Sequence, residues 1–152
     1  MQSKIVNKTP TVQATPDYSD GDVIGGKMTL SDAVAFIGDS GSIKSALVYS
    51  AVDIGAGIPI RAFLFSADPT NSTITENAAF VLHADDLAKL VGVLDLSTRV
   101  DHGTPVTLFA SNPDLPFLCG GGKDLYAVAV AGGTINLGAT NDLTFVFGLR
   151  RD

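Results

Sequence analysis

The chain has 152 residues, 45% of them apolar and only 17% charged, with a net charge of −6, a single cysteine and no tryptophan. That length fits one domain whose core needs no disulfide or metal staple. The acidic balance, without a basic stripe, argues against nucleic-acid partners, whose affinity comes largely from neutralised phosphates. A surface so thinly charged has two readings: part of it lies under a partner, or a two-sided β-core rich in Val, Ala and Gly lowers the figure.

Residues 1–17, MQSKIVNKTPTVQATPD, are polar, and Pro10 and Pro16 favour extended backbone. They predict an extended N-terminal arm outside the folded part at 18–152. The arm is either a disordered terminus or a strap that orders on a neighbouring subunit. Ile5, Val6 and Val12 give it something apolar to bury and favour the strap. No apolar run of signal-peptide or transmembrane length occurs, so synthesis in a cytoplasm and no membrane partner are expected.

From Gly21 onward the pattern is β. DVIGGKMTL predicts two short strands around a Gly25-Gly26 turn or bulge. Next comes GDSGS at 38–42, which spells the neighbourhood of a nucleophilic serine. A serine nucleophile needs a histidine and an orienting carboxylate. No histidine precedes Ser40, and His83 and His102 both follow it. Turn chemistry explains the letters better: glycines for positive φ, Asp and Ser for local hydrogen bonds. GDSGS is expected to be a loop. Ser42–Ser50 then reads as a strand with Ile43, Ser45, Leu47 and Tyr49 on one face. Ile58–Ser66 reads as a strand apolar on both faces. GVLDLST, TPVTLFAS, DLYAVAVAG and DLTFVFGLR complete the set, separated by Gly, Pro, Asn and Asp clusters at the spacing of a sandwich or barrel.

One segment breaks the period. HADDLAKLVG places Leu87, Leu90 and Val91 at i, i+3 and i+4 behind Asp85 and Asp86, which predicts one short helix stopped by Gly92. His83 is expected to cap it. CGGGKD at 119–124 fails the phosphate-loop pattern, because Phe117 stands at the first glycine position and Asp124 replaces the hydroxyl residue. Asp101-His102 are neighbours on a turn, a poor arrangement for an acid–base pair. The many turn aspartates match no EF-hand spacing, and Cys119 is expected to be a buried small hydrophobe. No catalytic residue, cofactor or metal follows from any of these. The strand aromatics Phe63, Phe65, Phe109, Phe117, Tyr126, Phe145 and Phe147 are expected in the core or in subunit contacts.

YSDGDVIGG (Tyr18–Gly26), IKSALV, AFLFSADPT, ENAAF, DDLAKLVGV, LPF, LYAVAVAGG and NDLTFVFGL occur in this order. Together they resemble a family of small structural proteins of tailed bacteriophages and prophages, similar to capsid decoration (cement) proteins. The resemblance spans about Tyr18 to Leu149; Glu76 stands where the family pattern has Asp. It implies an all-β, jelly-roll-like single sandwich with one short helix. It further implies a virion location on the outer capsid surface, the major capsid protein as partner, and a homotrimer. Arg150 and Arg151 are expected either to pair with acidic partner residues or to lie solvated. The alternatives are a tail, collar or baseplate component and a carbohydrate-binding adhesion module, with a Ser40 hydrolase behind them.

Overall fold

In a computed structural model describing residues 1–152, period-two spacing of apolar residues becomes ten strands. They are β1 (Gln2–Lys8), β2 (Val23–Leu30), β3 (Ser40–Ser50), β4 (Ile60–Phe65), β5 (Leu90–Leu96), β6 (Thr98–Asp101), β7 (Val106–Phe109), β8 (Leu115–Leu118), β9 (Leu125–Ala131) and β10 (Leu143–Arg151). One sheet runs β1-β10-β3-β7-β6, with β8 also paired to β3; the other runs β2-β9-β4-β5. Every pairing within them is antiparallel. Taking β6 to β8 as one returning segment, the order is first–eighth–third–sixth facing second–seventh–fourth–fifth. That is the interleaved pair of Greek keys of a jelly roll. The chain is an all-β sandwich.

The core lies between the sheets. Phe145, Phe147 and Leu149 of β10, with Ile43, Ala46 and Val48 of β3, face Ile60, Ala62 and Leu64 of β4 and Leu125, Ala127 and Ala129 of β9; all are buried. Phe65, Val128 and Val130 point the other way into a second cluster, which explains why β4 and β9 read as apolar on both faces.

The N-terminal segment differs from the expected arm. Gln2–Lys8 pairs residue for residue with β10 of its own chain, from Gln2 opposite Arg151 to Lys8 opposite Phe145. Beyond it, Val12 is buried, its amide donates to Thr140 O at 3.0 Å, and Thr9 bonds Thr144 through their hydroxyls at 2.8 Å. The physical reason is the free edge of β10, whose backbone groups need partners, together with room in the core for Val6 and Val12. Residues 9–17 then cross to the opposite side, where the Tyr18 hydroxyl bonds Glu76 and Asn77 Nδ2 donates to Gln13 and to Pro16 O. Burial first, and then the bond to Glu76, raises the Tyr18 phenol well above its ordinary range.

Three local readings also change. The short helix is a 3-10 turn at Ala84–Lys89, and Leu90, Val91 and Gly92 belong to β5. β-Pairing with β4 outweighs a weak helical period there, and it leaves Leu87 exposed. GDSGS is only half loop: Gly38 sits at φ +86°, but Ser40, Gly41 and Ser42 already pair with β8. In β3 a bulge at Lys44, where the β10 register slips between Gly148 and Leu149, flips the faces. Ile43 therefore points inward with Ala46 and Val48, while Leu47 and Tyr49 point outward.

DVIGGKMTL forms one strand with a bulge, since the register to β9 slips between Ile24 and Lys27. Gly25 takes φ +76° there, and a Cβ on it would lie 2.4 Å from Pro10. Gly25→Ala is expected to lower stability by about 1–3 kcal/mol through backbone strain and loss of the Pro10 contact. The urea midpoint reads this directly; an unchanged midpoint would mean that the bulge relaxes freely.

Candidate interaction surface

The outer faces of the two sheets are treated differently. Residues 66–83, the long excursion between β4 and the 3-10 turn, fold back over the β2-β9-β4-β5 sheet. Val23 N donates to Ala78 O at 2.9 Å, Asn77 N to Val23 O at 2.9 Å and Phe80 N to Gly21 O at 2.9 Å. Ile74, Phe80 and Leu82 close over Val23, Phe65, Val128 and Val130, with the Phe63 and Phe80 rings 4.8 Å apart. Asp86 ties down the far end of the excursion. Its carboxylate accepts from the amides of Asn71 and Ser72 at 2.9 and 2.7 Å, from the Ser72 hydroxyl at 2.7 Å and from Lys89 at 2.7 Å.

Nothing in the chain covers the other sheet. Cross-strand neighbours on its outer face run Asn7–Val146–Leu47–Phe109–Thr98, then Thr144–Tyr49–Thr107–Val100, then Ile5–Gly148–Ser45. These three rows hold no charged side chain; the charges of this face are at its margin, Arg150 in the next row and Lys44 at the bulge, paired with Asp114 at 2.5 Å. Ile5, Tyr49 and Val100 are 63%, 47% and 40% exposed, and Leu118 of β8 is 60% exposed. Sheets in a single soluble chain ordinarily alternate apolar inward and polar outward. A bare face with apolar residues at its centre, on a chain of net charge −6, is the mark of an interaction surface.

The predicted contact residues separate here. Ile5 lies on the bare face, whereas Val6 and Val12 are core residues. Arg151 is tied to Gln2 at 2.7 Å, and Arg150, opposite Ser3 and Ser42, is half-buried at the margin of the face. The sequence reading missed Leu47, Tyr49 and Val146. The detectable signal was the apolar run ALVY, whose two faces are both apolar in a strand that no excursion covers.

The residues weighed for catalysis are engaged locally. Ser40 Oγ donates to Asp152 Oδ2 at 2.6 Å. His83 caps the 3-10 turn, its Nδ1 accepting from Asp85 N at 3.2 Å, and His102 Nε2 lies 3.2 Å from the Thr107 hydroxyl. Asp101 accepts from Arg99 at 3.3 Å and from Gly103 N at 2.8 Å. Arg99 also donates to Asp53 at 2.9 Å. The Gly55 amide and then Arg99 hold the Asp53 carboxyl below its ordinary range. Burial pushes the Cys119 thiol up to about 11. The concavities are open grooves of about 190 to 320 Å³, and none is lined by Ser40, His83 or His102. No group of three or more His, Cys, Asp or Glu side chains converges, and no helix is long and apolar enough to cross a membrane.

No protein-family model matches the chain, and no curated protein matches it. Among solved structures it is similar to a chain from the native virion of Kashmir bee virus at acidic pH. That likeness has a TM-score of 0.30 and 9% identity over 99% of this chain and 71% of that chain. So loose a likeness leaves the fold to be defined by the strand order itself.

Proposed function

We propose that this chain is a non-enzymatic structural protein of a phage virion, a decoration protein that binds across major-capsid subunits through its bare sheet face as a homo-oligomer. The carrying observation is the asymmetry of the sandwich: one outer face is sealed by residues 66–83, and the other is uncovered, with Leu47, Tyr49 and Phe109 in rows free of charge and Lys44 and Arg150 at its margin. A cement protein acts by burying surface at subunit joints, so its work is binding energy rather than bond chemistry. Jelly rolls are a recurrent architecture of capsid proteins, which supports the reading by analogy of fold. The net charge of −6 keeps the free protein soluble before it docks.

The test is co-sedimentation of the purified chain with mature shells of the major capsid protein from the same genome. The wild type is expected to load at hundreds of copies per shell. Leu47→Asp/Tyr49→Asp is expected to bind at least roughly 100-fold more weakly, the scale of a lost central hot spot, with an unchanged melting temperature. Binding at only a few copies would place the protein in the tail or collar. No binding at all would sink the capsid reading.

A further inference from the structure

Residues 1–12 fill a slot made by the rest of the chain. Gln2–Lys8 runs along the edge of β10, Val6 and Val12 are buried, and Val12 N donates to Thr140 O at 3.0 Å. Thr9 bonds Thr144, Lys4 donates to Ser31 O at 2.7 Å, and Pro10 packs on the Gly25 bulge. None of these partners lies in residues 13–17. The slot therefore fits this segment by sequence, whichever copy supplies it.

The tether between arm and body is thin. Of residues 13–17 only Ala14 is half-buried, and the rest are exposed. Asn77 Nδ2 donates to Gln13 Oε1 and Pro16 O at 3.0 and 2.9 Å, Gln13 N to the Tyr18 hydroxyl at 2.8 Å, and Asn136 Nδ2 to Asp17 at 2.8 Å. No apolar core opens when these bonds are exchanged for water, and five extended residues then reach roughly 17 Å.

Charge and chain order both favour a slot on another copy. Residues 1–12 hold Lys4 and Lys8 and no acid, so all 16 Asp and Glu side chains lie in the body. Two such bodies repel, and a basic arm passed between them offsets the repulsion. β1 is the first strand in chain order and β10 the tenth. The arm is thus made before its own slot and is free to enter one completed on a neighbour.

We propose that residues 1–12 are exchanged between copies, the arm of one chain adding to β10 of the next. Each copy gives one arm and receives one, so the exchange closes into a ring. The exchanged state keeps the arm contacts of the single chain; what it loses is association entropy, which falls as copies become concentrated. The inference rests on the proposed homo-oligomer and supplies its joint, leaving the bare face to the shell.

The experiment is disulfide trapping across the β1–β10 ladder. Ser3 stands opposite Arg150 and Asn7 opposite Val146, and opposed residues of an antiparallel pair have Cα atoms about 4.5–5.5 Å apart, within disulfide reach. In a Cys119→Ser background, Ser3→Cys/Arg150→Cys and Asn7→Cys/Val146→Cys are folded, oxidised and run on non-reducing gels. Covalent species of two or more chains are expected from both, collapsing to single chains on reduction. Two pairs are used so that a variant with a lowered melting temperature leaves the other to decide. Light scattering of the wild type separates the exchange from the reading beneath it. Disulfides closed within single chains overturn the exchange but leave the homo-oligomer standing if the wild type is above monomer mass. With a monomeric wild type they overturn both. A folded variant that forms no disulfide overturns the place of the arm on β10, and the exchange with it.

Discussion

Replacing Phe147 with alanine will lower the stability of the fold by about 3–5 kcal/mol, read as a fall in the denaturant midpoint at constant slope. The size follows from position. Phe147 is fully buried and stands opposite Val6 of β1 and Ala46 of β3, on the strand that both neighbours depend on. Val6 and Ala46 are small, and both backbones are fixed by ladders, so the space left by the ring cannot close. Val146→Ala, one residue away on the bare face, is expected to cost about 1 kcal/mol or less. Equal costs at the two positions would show that the inner face is not the packed one.

Acid stability will depend on Asp86. Its side chain is fully buried, and burial alone would raise its carboxyl. Lys89, the Ser72 hydroxyl and the amides of Asn71 and Ser72 reverse that and hold it well below the usual carboxylate range. Its folded-state value lies below its unfolded one, so its contribution is complete above about pH 4 and is lost as the pH falls below that. The wild type should therefore lose stability steeply on acidification. Asp86→Asn should start from a lower melting temperature at neutral pH, with a flatter slope below about pH 4, because two amides and an ammonium lose a charged acceptor. The damage should centre on residues 66–83, visible as faster amide exchange at Asn71 and Ser72. An unchanged acid slope would assign the acid dependence to other carboxylates.

Strand identity was legible where period two was clean. β9 and β10 were readable almost to the residue, because no bulge interrupts their inner faces through Phe147. β3 was found, but its faces were inverted beyond Lys44, since a bulge adds one residue without any local sequence mark. β1, β6 and β8 were not marked out as strands. QSKIVNK has only two apolar residues and becomes a strand because β10 offers an edge, and the four-residue β6 and β8 carry almost no pattern of their own. The candidate surface was legible only as a deficit of charge and as the two-sided apolar run ALVY. Which sheet lacks a cover depends on where residues 66–83 fold, a long-range fact that no local window contains.

The order of strands in the six-stranded sheet also sets the order in which it can be completed during synthesis. β10, the tenth of the ten strands in chain order, lies between β1, the first of them, and β3. Until residues 143–151 have left the ribosome, the sheet has a gap down its middle: β1 has no partner, and β3 has only one edge satisfied. The nascent chain must therefore hold Val6, Ile43 and Val48 without their β10 neighbours until all ten strands are made, and folding comes as one cooperative event dominated by distant pairings. Co-expressed chaperones should accordingly raise the yield of native protein more than slower induction does, and a chain truncated before Leu143 should be aggregated rather than partly folded.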